Sequence, residues 1–169
     1  MCMQNVNATL VLASEVDLHD NGVYSIQNVF DGIVPKRQNN EYFLEDFVVM
    51  LNCCVLFNIG KEDDKVKLLD NDNGLRLGKT YEFMIRMTHV GSGKGVSLLR
   101  FEVAVTEEDV NIWCKGVYEF KRVIRITRLD LPKGLGNYAI KLLIREKTAN
   151  EDEPWVTQTM CGLVVGATS

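Results

Sequence analysis

The sequence predicts an all-β fold: an antiparallel two-sheet β-sandwich, Ig-like or jelly-roll-like, of about nine or ten strands with little helix. Three observations predict it. Short segments alternate apolar and polar residues with a period of two, as strand side chains do. Turn signals built on Gly, Asn, Asp and Pro separate those segments at close spacing. No long segment carries the apolar stripe of a helix. Residues 1–169 read as one sandwich domain, since no repeat, low-complexity run or linker divides them.

The first strand, 6–13, alternates Val6, Ala8, Leu10 and Leu12 against Asn7, Thr9, Val11 and Ala13. Asn21-Gly22 is a hairpin signal, because both residues tolerate positive φ. The return strand is 23–34, with Tyr24, Ile26 and Phe30 as anchors. Val29 competes with Phe30 for the core, and a β-bulge near Asn28 reconciles the two. Residues 35–41 are polar and turn-rich and read as a loop. Residues 42–59 form the longest apolar segment, which reads as a central strand buried on both faces. A short strand, 65–70, follows between charged turns.

Residues 80–90 and 96–105 form a hairpin around Gly91-Ser92-Gly93-Lys94-Gly95. Thr106 is a capping-type residue, and 106–110 predicts one helical turn. The strand 113–129 places Tyr118, Phe120, Arg122, Ile124 and Ile126 on one face. After the turn Leu131-Pro132-Lys133-Gly134, the strand 136–146 places Tyr138, Ile140, Leu142 and Ile144 on one face. Tyr138 is read as a corner that fixes this turn. The closing strand, 155–165, pairs with 136–146 across an acidic loop.

Composition narrows the function classes. Hydrophobic residues make up 46% of the chain, enough for a packed core. With 19 basic and 23 acidic side chains the net charge is −4, which weighs against a nucleic-acid partner. No apolar run approaches the ~20 residues that span a bilayer. The opening Met1-Cys2-Met3-Gln4-Asn5-Val6-Asn7 lacks the basic and apolar regions of a secretory signal. The expectation is a cytoplasmic protein with neither a membrane nor a nucleic-acid partner. The five cysteines, Cys2, Cys53, Cys54, Cys114 and Cys161, contain no Cys-x-x-Cys. They read as small buried hydrophobes in a reducing compartment.

Several stretches imitate functional motifs. Gly91-Ser92-Gly93-Lys94-Gly95 has Thr88 where a phosphate loop needs its first glycine, and Gly95 where it needs Ser or Thr. A strand follows it, so the helix N-terminus that binds phosphate is missing. Asp70-Asn71-Asp72-Asn73-Gly74 resembles the start of a calcium loop, with Asp63 and Asp64 as further oxygen donors if the two turns meet. The glycine falls one place early, and Tyr81 stands where the bidentate glutamate belongs. It reads as a solvated turn, with Asp70 and Asp72 as the calcium candidates. No cofactor is expected.

His19 and His89 stand alone, and no Ser or Cys nucleophile has a recognisable elbow around it. Asp17, His19 and Asp20 could form a small acid/imidazole cluster, but they lie at a hairpin tip that offers little burial. No enzyme activity is expected. Trp113 and Trp155 are the candidate ligand-binding residues, in the manner of sandwiches that stack sugars, against the plainer reading that both cover ends of the core.

Leu10-Val11-Leu12-Ala13-Ser14-Glu15, and Gly22 through Asn28-Val29-Phe30-Asp31-Gly32-Ile33 with Pro35 after it, are two stretches that resemble an uncharacterised bacterial family of small all-β proteins. The late Gly136-x-Tyr138-x-Ile140-x-Leu142 pattern fits the same family. The segment 76–113 is more elaborate than that pattern. The family is a domain of unknown function, so the resemblance implies the sandwich and transfers no site residue. The functional expectation is a binding or assembly module that acts through protein–protein contacts, with a protein partner or a homo-oligomer formed through sheet edges. The alternative is a carbohydrate-binding sandwich.

Overall fold

Apolar alternation resolves into two stacked sheets. The computed structural model describes residues 3–19, 24–62, 65–69, 74–106, 108, 116–148 and 153–166. Its strands are β1 (Val6–Leu18), β2 (Tyr24–Val29), β3 (Gly32–Ile33), β4 (Lys36–Gln38), β5 (Glu41–Leu56), β6 (Asn58–Glu62), β7 (Lys65–Leu69), β8 (Lys79–His89), β9 (Gly95–Val105), β10 (Val117–Asp130), β11 (Gly136–Glu146) and β12 (Val156–Val165). The first sheet runs β10-β5-β1-β2, with β4 also paired to β5. The second runs β3-β12-β11-β8-β9, and β6-β7 is a separate ribbon. All pairings are antiparallel except β3 with β12. This is a sandwich, as the alternation predicts.

The two sheets share one core. Val49, Leu51, Cys53 and Val55 of β5 face Phe83, Ile85 and Met87 of β8 and Ile140, Leu142 and Ile144 of β11. Each set is spaced by two, so each strand buries one face. β5 is covered on its other face as well. There Val48 and Met50 pack with Ala13 and Val16. The Arg125 guanidinium crosses over to donate to the Val16 carbonyl at 2.7 Å. That second cluster explains the long uninterrupted apolar run at 47–51, which is buried throughout.

Several expected segments differ from the structure. β1 runs on to Leu18, past the expected end at 13, and the apolar segment 42–59 divides between β5 and β6. The return strand expected at 23–34 is split, with β2 in the first sheet and β3 in the second. Asn28 takes φ 49°, and its side chain donates to Ser14 Oγ at 3.1 Å. The β1–β2 register is the same on either side, Glu15 opposite Gln27 and Ala13 opposite Val29. The kink is therefore a left-handed asparagine with no inserted residue. Beyond it Phe30 turns into the core, 6.5 Å from Phe47, and Val29 is exposed.

The loop expected at 35–41 contains β4 and a tight hairpin. Asn39 and Asn40 have φ 48° and 66° between paired Gln38 and Glu41, as a type I′ turn requires.

True bulges occur elsewhere. Leu142 opposes Thr159 but Leu143 opposes Thr157, so Gln158 is the extra residue in β12. The bulge re-aims its side chain. Gln158 accepts from the Met3 amide at 2.8 Å and donates to the Val6 carbonyl at 2.6 Å, tying the chain start to the second sheet. Leu98 is the extra residue of β9. The expected Asn21-Gly22 turn, most of the helical turn at 106–110 and residues 149–152 of the acidic loop lie outside the described residues.

Candidate interaction edges and sites

Edges come first, because a sandwich leaves each sheet with open flanks. β10 ends the first sheet and β9 ends the second, and among the described residues no strand pairs with the outer side of either. The two edges share one flank of the molecule, where Phe120 of β10 meets Phe101 of β9 at 6.0 Å. They differ in charge. β10 spans 14 residues and carries Lys121, Arg122, Arg125 and Arg128 against Glu119 and Asp130. β9 spans 11 residues with only Arg100 and Glu102 charged. Charged side chains guard an edge against unwanted pairing. β10 is guarded and β9 is nearly bare.

The other edges are short or interrupted. β2 has 6 residues and the left-handed Asn28. β12 is broken by the Gln158 bulge and capped at Val164 and Val165 by β3.

Cross-strand placement assembles a charge cluster on the outer face of the second sheet. Glu82 stands opposite Arg145 of β11 and one row from Arg100 of β9. Arg100 Nη2 reaches Glu82 Oε1 at 2.5 Å, and Arg145 Nε bonds Glu82 Oε2. Burial raises the Glu82 carboxyl, but the two guanidiniums outweigh it and leave the group below the usual carboxylate range. Glu146 has the same balance, with burial outweighed by Arg76 and Lys79. Both guanidiniums of the first cluster also lie over Trp155, Arg145 at 4.6 Å and Arg100 at 5.7 Å from the ring centre. Trp155 is thus half-buried beneath cations. Trp113, its expected companion, lies outside the described residues, as do Asp70 and Asp72.

Comparison with known protein families, with curated proteins and with solved structures finds no match to this chain.

The reactive side chains have structural partners. His89 Nδ1 accepts from the Ser92 amide at 3.1 Å, with Ser92 Oγ also 3.1 Å away. Its ring stands edge-on to Tyr138 at 5.1 Å. His19 Nε2 contacts Ser25 Oγ. Sequence reasoning missed both Ser–His contacts; the i, i+3 spacing of His89 and Ser92 was the available signal for one. Among the described residues neither imidazole is joined to an acidic side chain, and neither pair forms a triad there. Asp20, the further acid expected near His19, lies outside them.

Burial pushes the Cys53 thiol up to about 12 and raises Cys54 and Cys161 as well, which suppresses thiolate chemistry. Among the described residues no three His, Cys, Asp or Glu side chains converge on a metal position. No described helix is long and apolar enough to cross a membrane.

An open cleft of about 580 Å³ lies between the Asn39-Asn40 turn and the β10–β11 turn. Asn40, Glu41, Tyr42, Asp130 and Lys133 supply its polar lining. The turn beneath it is held by Tyr138, whose hydroxyl donates to the Gly134 carbonyl at 2.7 Å. This is the corner role expected of Tyr138.

Proposed function

We propose that the protein is a non-enzymatic assembly module that acts through protein–protein contacts at its sheet edges. The observation that carries this reading is β9, a long edge strand with one side unpaired among the described residues and little charge to guard it. Free N–H and C=O groups along such an edge take up another strand. The engaged imidazoles and suppressed thiols support a role without covalent chemistry. The free thiols Cys53, Cys54 and Cys161 support a reducing, cytoplasmic setting. Light scattering over a concentration series tests the reading. A mass rising above that of one chain is expected. A strict monomer that also retains no partner in a pull-down contradicts it.

A second reading, carbohydrate binding, is favoured by the cleft beside Tyr42, where an aromatic ring lies among carboxylates and an amide. A glycan screen checks it: binding that Tyr42→Ala abolishes supports this reading, and no binding to any glycan removes it.

A further inference from the structure

We infer that the partner of β9 is a second copy of β9, paired antiparallel about a two-fold axis through Phe101. The inference rests on the edge-assembly reading above and adds its occupant and register. Residues directly opposite in an antiparallel pair must have the same hydrogen-bonding direction, so allowed two-fold registers centre on a residue. The bulge at Leu98 leaves 99–105 as the regular part of the edge. Centring on Arg100 sets that arginine against itself, and centring on Glu102 sets that glutamate against itself. Like charges directly opposite are destabilising. Centring on Phe101 sets Arg100 against Glu102 of the second copy, and Glu102 against its Arg100. Leu99 then meets Val103, and Phe101 meets Phe101.

Centring on Leu99 or Val103 gives neither charge a charged partner, so the charge pattern of the strand favours the Phe101 register with its own copy. Arg100 and Glu102 are both available for it, at 51% and 48% side-chain exposure. Arg100 engages Glu82 through Nε and Nη2, and Glu102 engages Lys147 through Oε1. Those bonds use neither Arg100 Nη1 nor Glu102 Oε2. The cations of β10 make the neighbouring edge the poorer self-partner. A pairing this short belongs with small, transient interfaces. Association is therefore read at high protein concentration.

Sedimentation of four proteins tests it. The unaltered chain is expected to dimerise. E102Q, which leaves Glu82 its two arginines, is expected to weaken dimerisation by about 2- to 30-fold, because two symmetry-related pairs are lost. E102R, which sets like charges opposite, is expected to weaken it further, and R100E/E102R to restore it relative to E102R. Thermal melts confirm that each variant is folded, and E102Q carries the test if a charge-reversed variant is not. If the unaltered chain dimerises but E102Q and E102R do so equally well, the register is wrong and edge assembly stands. If the unaltered chain is monomeric at every concentration, the self-pairing is wrong; capture of a different protein partner then keeps the broader reading, and a lack of any partner ends it.

Discussion

The imidazole of His89 lies against the backbone of Gly136. Its Nε2 is 2.7 Å from the place a Cβ on residue 136 would take, and residue 136 has φ 140°. Only glycine meets both conditions. Gly136→Ala is expected to destabilise the fold by about 1–3 kcal/mol, through a strained backbone and a displaced His89. Denaturant unfolding measures this. His89→Ala in the same background should recover the steric share and leave the backbone share.

Tyr138 holds the turn before that glycine. Its hydroxyl donates to Gly134, which itself sits at φ 85°. Tyr138→Phe keeps the buried ring and removes the bond. The expected loss is about 1 kcal/mol. Amide exchange should rise locally in the β10–β11 turn, and unchanged exchange there would remove the corner role.

The Asn5 side chain pairs with the main chain of Leu75 on both its donor and its acceptor. It is buried, accepts from Leu75 N at 2.9 Å and donates to Leu75 O at 2.9 Å. Asn5→Ala leaves both groups unpaired and should cost roughly 2–3 kcal/mol. Gly74→Ala should also destabilise, since its Cβ would fall 1.9 Å from Asn5 Oδ1. Thermal melts of the two single variants check both expectations.

Glu82 and Glu146 give the stability a defined acid limb. In each, burial raises the carboxyl and the basic partners outweigh it, so the folded pKa lies below the unfolded one. As pH falls, the unfolded chain takes up the proton first. The stabilisation is whole above about pH 4.3, the ordinary glutamate value, and is lost as pH drops towards the lower folded values. Glu82→Gln should flatten the fall of stability with acid below that point. Urea unfolding at a series of pH values measures the slope.

The regular strands were legible because their periodicity is local. Tyr138, Ile140, Leu142 and Ile144 are buried as their spacing predicts, and the strand 136–146 matches β11 end to end. The split at Asn28 was not legible in the same way. Whether Val29 or Phe30 turns inward depends on which sheet receives the chain, and that is decided by Phe47 across the core. The continuation of β1 through Glu15 and Asp17 depends on its pairing with β2, which overrides the polar pattern. The charge cluster over Trp155 was hidden because Glu82, Arg100 and Arg145 come from three strands and meet only through register. The β9 edge was hidden for the same reason: strand order, not strand content, makes an edge.

Hydrogen exchange of the unaltered chain at low and high concentration tests the central claim most directly. If β9 pairs with its own copy, the amides among residues 99–103 that point away from β8 gain protection as concentration rises, while β2 and β12 keep theirs unchanged. Concentration-independent exchange along β9, or new protection confined to β10, would contradict it.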